Sequence, residues 1–265
     1  MVTHPVATLY HRLLDQYGPQ GWWPLLAHRG TNPTKTGSHR GYHPGVYGLP
    51  DTPDGRFEVA VGAVLTQNTA WTNVEKALDA LAALDALSPN AILDLDLADL
   101  RAAIRPAGYY NMKARKLRCL AEFMLEGETD SPARGGAADV QPVPLPGKPG
   151  AETLRPGGQS CGGALDDAVA AAAPTRNELL GVWGIGPETA DSIRLYAYHC
   201  LEMVVDAYTR RILAAEGLCP PDIIYADLKR ICEEGVPATV ADYQEFHALM
   251  VEHGKRLSTR RAGRD

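Results

Sequence analysis

Two short stretches hold the residue types that could do chemistry. Residues 184–194 read GIGPETADSIR, and a little further on comes VVDAYTRR. Gly184 and Gly186 supply the backbone freedom that so short a turn requires, and Pro187 suits the first position of a following helix, where its missing N–H costs nothing. The free amides of such a turn, beside a helix N-terminus, attract a phosphate oxygen without needing side-chain charge. An acid, Glu188, stands just inside that helix, where anion binding would favour a cation. Downstream, Asp206 occupies the position of a helix N-cap ahead of AYTRRIL. By itself Gly-x-Gly reads first as a plain connector between helices.

The elements that must position these residues read as helices. In NVEKALDALAALDALSPN, residues Val74, Ala77, Leu78, Leu81, Leu84 and Leu87 form one apolar stripe, and Ser88-Pro89 closes that helix and opens the next. Similar stripes run through 57–71, 91–104, 111–125, 176–183, 187–200, 207–216, 224–234 and 239–257. Strand alternation is absent, so the expected fold is all-α. Between 128 and 163 the pattern stops, and Gly and Pro make up 14 of those 36 residues. That composition predicts a flexible, disordered insertion between two helices.

The bulk numbers narrow the function classes. At 265 residues with 45% hydrophobic content the chain can bury a substantial core. No apolar stretch approaches the roughly 20 residues that span a bilayer, and the start MVTHPVATLYHRLLDQYG turns polar too early for a signal peptide. A cytoplasmic protein without a membrane partner is expected. Lys and Arg total 26 against 32 Asp and Glu, a net charge of -6, so any polyanion site must be local. NMKARKLR at 111–118, which contains Lys113, and HGKRLSTRRAGR at 253–264 are the basic stretches; each also reads as a solvated helix face or terminus. The scattered Cys119, Cys161, Cys200, Cys219 and Cys232 support neither a disulfide framework nor a metal or iron–sulfur site. His28, His39 and His43 lack metal-ligand spacing and read as loop histidines. No cofactor and no metal are expected.

Four ordered blocks carry a more specific signal: FEVAVGAVLTQNTAWTNVEKAL, IRPAGYYNMKARKL, LLGVWGIGPETADSI and VVDAYTRRIL. Together they resemble the helix-hairpin-helix (HhH-GPD) DNA glycosylases of the endonuclease III superfamily. GWWPLL followed by FEVAVGAVLTQNT resembles the 3-methyladenine DNA glycosylase subgroup, which lacks the iron–sulfur cluster. Ser258 stands about where the first cluster cysteine would fall, and that departure fits the same subgroup.

The resemblance implies a site. Asp206 matches the catalytic aspartate, whose carboxylate would stabilise the positive charge that builds on deoxyribose as the base leaves; capping a helix is a compatible second role. Glu188 stands where bifunctional members carry a lysine that attacks the sugar as an amine. A carboxylate cannot do that, so a monofunctional enzyme without AP lyase activity is expected. Gln67 matches the wedge that fills the gap left by a flipped base, with turn packing as the other reading. Tyr109, Tyr110 and Asn111 match the loop that enters the partner strand. Lys113, Gly184, Gly186 and Glu188 complete the DNA-binding set. Trp22, Trp23 and Phe57 match aromatic residues that stack on the damaged base, with the tryptophans otherwise core anchors and one ring expected on each side. Lys255 matches a lysine near the active site, or else contacts phosphate.

The expected molecule has two lobes. A central helical lobe spans about 56–202, and 1–55 joins 203–265 in the second. Its implied role is removal of an alkylated purine such as 3-methyladenine from duplex DNA, acting as a monomer. An oxidised or mismatched pyrimidine is the alternative substrate, and a non-catalytic hairpin module the alternative class.

Overall fold

The computed structural model describes residues 4–31, 33–34, 40–129, 170 and 173–262, with side chains for all of these except 127–129 and 258–262. The insertion beyond residue 129, His39, Cys161 and the side chain of Ser258 therefore lie outside the described residues. The described chain is all-α: no strand occurs in it, and no helix is long and apolar enough to cross a membrane.

Helix α1 (Pro5–Tyr17) buries Val6, Leu9, Tyr10 and Leu13 on one face. An irregular segment follows, and α2 (Pro53–Leu65) begins at the Thr52 cap, whose hydroxyl accepts the Gly55 N–H. Every residue from Phe57 to Leu65 is buried, so α2 runs through the core rather than along its edge. That is why its apolar run FEVAVGAVL shows little amphipathic contrast.

The expected helix over 57–71 is interrupted. The chain turns at Thr66–Ala70, with Asn68 at φ 53, before α3 (Trp71–Ala82). The 91–104 stripe likewise divides into α4 (Pro89–Asp94) and α5 (Leu97–Ala103), because Ser88 and Asp96 each cap a new start. A 3-10 turn (Arg105–Ala107) leads to Gly108 and Tyr109, both at positive φ, and into α6 (Tyr110–Thr129).

The hairpin is α7 (Arg176–Gly181) and α8 (Pro187–Ser192). Thr175 and Glu178 cap α7 reciprocally, and α8 widens into a π-helical turn, Ile193–Ala197. Buried Met203, Val204 and Val205 lead to α9 (Ala207–Ala215), followed by α10 (Tyr225–Gly235) and α11 (Val240–Ala262). The N-terminal α1 packs on α10 and α11, so both ends of the chain meet. α9 lies close along α11, where a Cβ on Gly254 would sit 2.1 Å from the Tyr208 ring. Glycine is needed there for approach, not for conformation.

Candidate active site

These helices enclose a cavity of about 1210 Å³. Its lining draws on segments far apart in sequence: the loop at Trp22–Trp23, the turn after α2 with the start of α3, the hairpin, the start of α9, and the inner face of α11. Of the residues singled out from the sequence, Trp22, Trp23, Gln67, Gly184, Gly186, Glu188, Asp206 and Lys255 line it.

Asp206 is the N-cap of α9. Its Oδ1 accepts the Thr209 backbone N–H at 2.7 Å and the Thr209 hydroxyl at 2.9 Å, while Oδ2 makes no such bond among the described residues. The cap fixes the carboxyl group, and the half-buried side chain remains part of the cavity wall.

Glu188 lies in the first turn of α8 in the same wall. It reaches water at the cavity's edge, yet protein surrounds most of its side chain; burial, and then the charge of Asp206, push its carboxyl up to about 7. Arg210 opposes the shift.

The hairpin glycines do different work. Gly184 sits at φ 89, and a Cβ there would meet Lys116 Cγ at 2.5 Å. Gly186 has φ -99, which any residue adopts, and nothing lies within 4 Å of a Cβ built on it. The expectation that both glycines serve the turn's backbone is corrected accordingly: only Gly184 does. The hairpin is tied down from behind by Asp191, whose side chain is fully buried. It accepts from Arg176 Nε at 2.6 Å, the Tyr225 hydroxyl at 2.7 Å and Lys229 Nζ at 3.0 Å, and Lys229 and Arg194 also hold Glu202. Buried charge at this density stands only because each group is paired.

Gln67 lies folded against the hairpin. Its Nε2 donates to the Gly184 carbonyl at 3.2 Å and to Thr189 Oγ1 at 3.0 Å, and its Oε1 accepts from Lys116 Nζ at 2.5 Å.

The tryptophans face the cavity together. Trp22 is 9% exposed and Trp23 3%. Both line the wall because their segment is not helical, so the expected split between pocket and core does not occur. Trp71, at the start of α3, completes the group with ring centroids 4.7 Å from Trp22 and 5.3 Å from Trp23. A Cβ on Gly62 of α2 would lie 3.0 Å from Trp23 Nε1, so glycine makes room for that ring. The segment is pinned on both sides: Gln20 N–H donates to Glu245 at 2.6 Å and Leu26 N–H to Glu58 at 2.8 Å, while His43 Nε2 lies 2.8 Å from the Trp23 carbonyl. Burial pushes the Glu58 and Glu245 carboxyls up to about 7 each.

Lys255 of α11 places Nζ 5.7 Å from the Trp22 ring centroid. Burial lowers its pKa, against the carboxylates of Glu252, Asp206 and Glu75. His247, about two turns back along α11, also lines the cavity; its Nδ1 is 2.8 Å from the Tyr196 hydroxyl, and burial holds its pKa down.

Two expected site residues are elsewhere. Phe57 is 1% exposed and packs in the core, one face of a helix that is buried all round; Trp71 stands on the cavity in its place. Lys113 is 2% exposed and donates to the carbonyls of Leu65 and Ala107, both at 2.8 Å, and to Thr69 Oγ1 at 2.6 Å. The carbonyls at the ends of α2 and the 3-10 turn, of which Ala107 also accepts from the Thr69 hydroxyl at 2.6 Å, attract the cation inward, and burial lowers its pKa to about 8. Lys116, one turn later, is the α6 lysine on the cavity. Tyr109 and Asn111 are exposed at the start of α6, outside the cavity lining, while Tyr110 packs partly into the core.

Residues 61–238 match the HhH-GPD superfamily of base excision DNA repair proteins. A protein of Methanocaldococcus jannaschii that bears the name DNA repair glycosylase is 35% identical over 256 residues, which cover 96% of this chain and 89% of that one. The chain therefore belongs to the HhH-GPD superfamily of base excision DNA repair proteins. Among solved structures, the H. pylori 3-methyladenine DNA glycosylase bound to 1,N6-ethenoadenine is similar with TM-score 0.60 and 24% identity, covering 97% of this chain and 98% of that one. An endonuclease III–DNA covalent intermediate is similar with TM-score 0.62 and 16% identity, covering 97% and 88%. At those identities the likeness establishes the fold.

Proposed function

We propose that the chain is a monofunctional DNA glycosylase that hydrolyses the N-glycosidic bond of an alkylated purine, such as 3-methyladenine, in duplex DNA. The observation that carries this reading is that the Asp206 carboxylate, the hairpin turn and the three tryptophans share one cavity. Duplex DNA lies as substrate between the lobe of residues 56–202 and the lobe made by 1–55 with 203–265, bound by a single copy of the chain. The amides around Gly186 hold a backbone phosphate near a helix start. Gln67 leaves the hairpin to fill the gap of the flipped nucleotide, and Tyr109 and Asn111 enter the partner strand.

With the base stacked on the indole wall, Asp206 faces the sugar. Cleavage builds positive charge on the deoxyribose ring, and a carboxylate held fixed by its helix cap stabilises it. Water, oriented by the same carboxylate, completes the substitution. Glu188 stands where an amine would be needed for Schiff-base chemistry, so base release leaves an abasic site and an unbroken strand.

The test is a panel of duplexes carrying one lesion each: alkylated purines, oxidised pyrimidines and a thymine mismatch. Release of free alkylpurine, with no strand nick and no covalent complex trapped by borohydride, is the expected result. Release of a pyrimidine instead transfers the assignment to the other substrate class, and a trapped complex removes the monofunctional one.

A further inference from the structure

The residue in front of the first hairpin glycine takes no part in the cavity lining. Trp183 is 41% exposed, whereas its neighbours Val182 and Ile185 are buried and the other three tryptophans are 9% exposed or less. An indole is costly to leave in water, and this one stands beside the turn whose amides face phosphate. The guanidinium of Arg115, from α6, lies over its ring with Cζ 4.1 Å from the centroid. That guanidinium makes no hydrogen bond and no ion pair among the described residues. Stacking fixes the plane of a guanidinium and leaves its N–H donors on the rim, where they match a pair of phosphate oxygens.

Charge sets the side from which a polyanion can approach. On one side of Trp183, Glu122, Glu126 and Glu178 line a groove that repels it. The two on α6 lie about two and three turns beyond Arg115, and Glu178 is engaged in the cap of α7. Toward the start of α6 the surface changes character. Lys116 follows Arg115 on the cavity side, and Met112 and Tyr109 are exposed, each three residues from the next. A cationic and apolar strip therefore runs from the hairpin to the loop that holds Tyr109.

We propose that Trp183 and Arg115 form one further DNA contact outside the cavity, the exposed part of the indole packing on a deoxyribose of the duplex flank and the stacked guanidinium gripping the adjoining phosphate. Sugar and phosphate are the same beside every base, so the pair adds affinity without choosing a lesion. This rests on the reading of the hairpin as the DNA-binding face, and it adds a contact that neither the hairpin amides nor the cavity supplies.

An undamaged duplex tests the pair, because the contact needs no lesion. Tryptophan fluorescence of the full chain is quenched with acrylamide, with and without duplex, in wild type and in Trp183→Leu. The difference between the two proteins reports Trp183, and duplex is expected to shield it. Affinity is then measured across a salt series for wild type, Arg115→Gln, Trp183→Leu and the double variant, with circular dichroism to confirm that each is folded. Arg115→Gln is expected to weaken binding about fivefold and to lower the salt slope by about one. The losses in the two single variants should not add, leaving the double variant within about twofold of the weaker one. Quenching of Trp183 that duplex leaves unchanged, a wild-type salt slope in Arg115→Gln, or fully additive losses overturns the pair contact and leaves the hairpin reading in place. Failure of wild type to bind duplex overturns the hairpin reading, and the pair contact with it.

Discussion

Asp206 caps a helix with the same oxygen that anchors it in the cavity, and substitutions can separate that structural role from the chemical one. Asn caps as well as Asp, so Asp206→Asn should keep the melting temperature of the wild type. Asp206→Ala loses both bonds to Thr209 and should cost about 1 kcal/mol in thermal unfolding. The two α6 lysines make a second contrast. Replacing Lys113 by Met strands the Leu65 carbonyl in the interior, while the Ala107 carbonyl keeps the Thr69 hydroxyl. That should cost about 1–3 kcal/mol in denaturant unfolding. Lys116→Ala should leave stability within about 0.5 kcal/mol and weaken DNA affinity, with a shallower salt dependence. The sequence distinguishes these lysines poorly: both lie in one basic run, and only the packing of α2 against α6 decides which turns inward. Phe57 and Trp71 exchange places for the same reason, since an aromatic residue in an apolar helix carries no mark of which side will face a cavity.

At the scale of elements, the hairpin was readable because its signal is local. A glycine turn, Pro187 at a helix start and a cap ahead of α9 each need only a few residues. The distinction between its glycines needed the structure. Gly186→Ala has an ordinary φ and open space, so it should fold like the wild type while losing DNA affinity by about tenfold, as a methyl group intrudes on the approaching backbone. Gly184→Ala should also unfold more easily, because φ 89 is strained for alanine and Lys116 is in the way. If calorimetry finds the two equally destabilised, the separate roles given to them fail. The Asp191 network was not legible: its partners Arg176, Tyr225 and Lys229 come from both sides of the hairpin and meet only when α10 packs behind it.

For the whole molecule, all-α architecture followed from periodicity, whereas the cavity depends on how the N-terminal segment closes over α2 and α11. Glu58 and Glu245 make that closure, and both are buried with carboxyls raised to about 7 from 4.5. A carboxyl raised on folding contributes stability that is full below its unfolded value and lost as pH rises through its folded one. Glu58→Gln removes that dependence. Its stability relative to wild type should therefore improve between about pH 5 and about pH 8, by up to roughly 3 kcal/mol from the size of the shift. Chemical denaturation at the two pH values measures this, and a constant difference contradicts it. Glu202, lowered by Lys229 and Arg194 against the cost of burial, acts in the opposite sense, so the comparison with the variant is needed rather than the wild-type curve alone.

The most direct measurement is single-turnover release of free base from a duplex carrying one alkylated purine, made on wild type and on Asp206→Asn with DNA binding monitored in parallel. Base release by the wild type, a fall of at least about a hundredfold in the variant and equal affinity for the duplex are the predicted results. A variant that releases base at the wild-type rate contradicts the assignment of Asp206 as the group that carries the reaction.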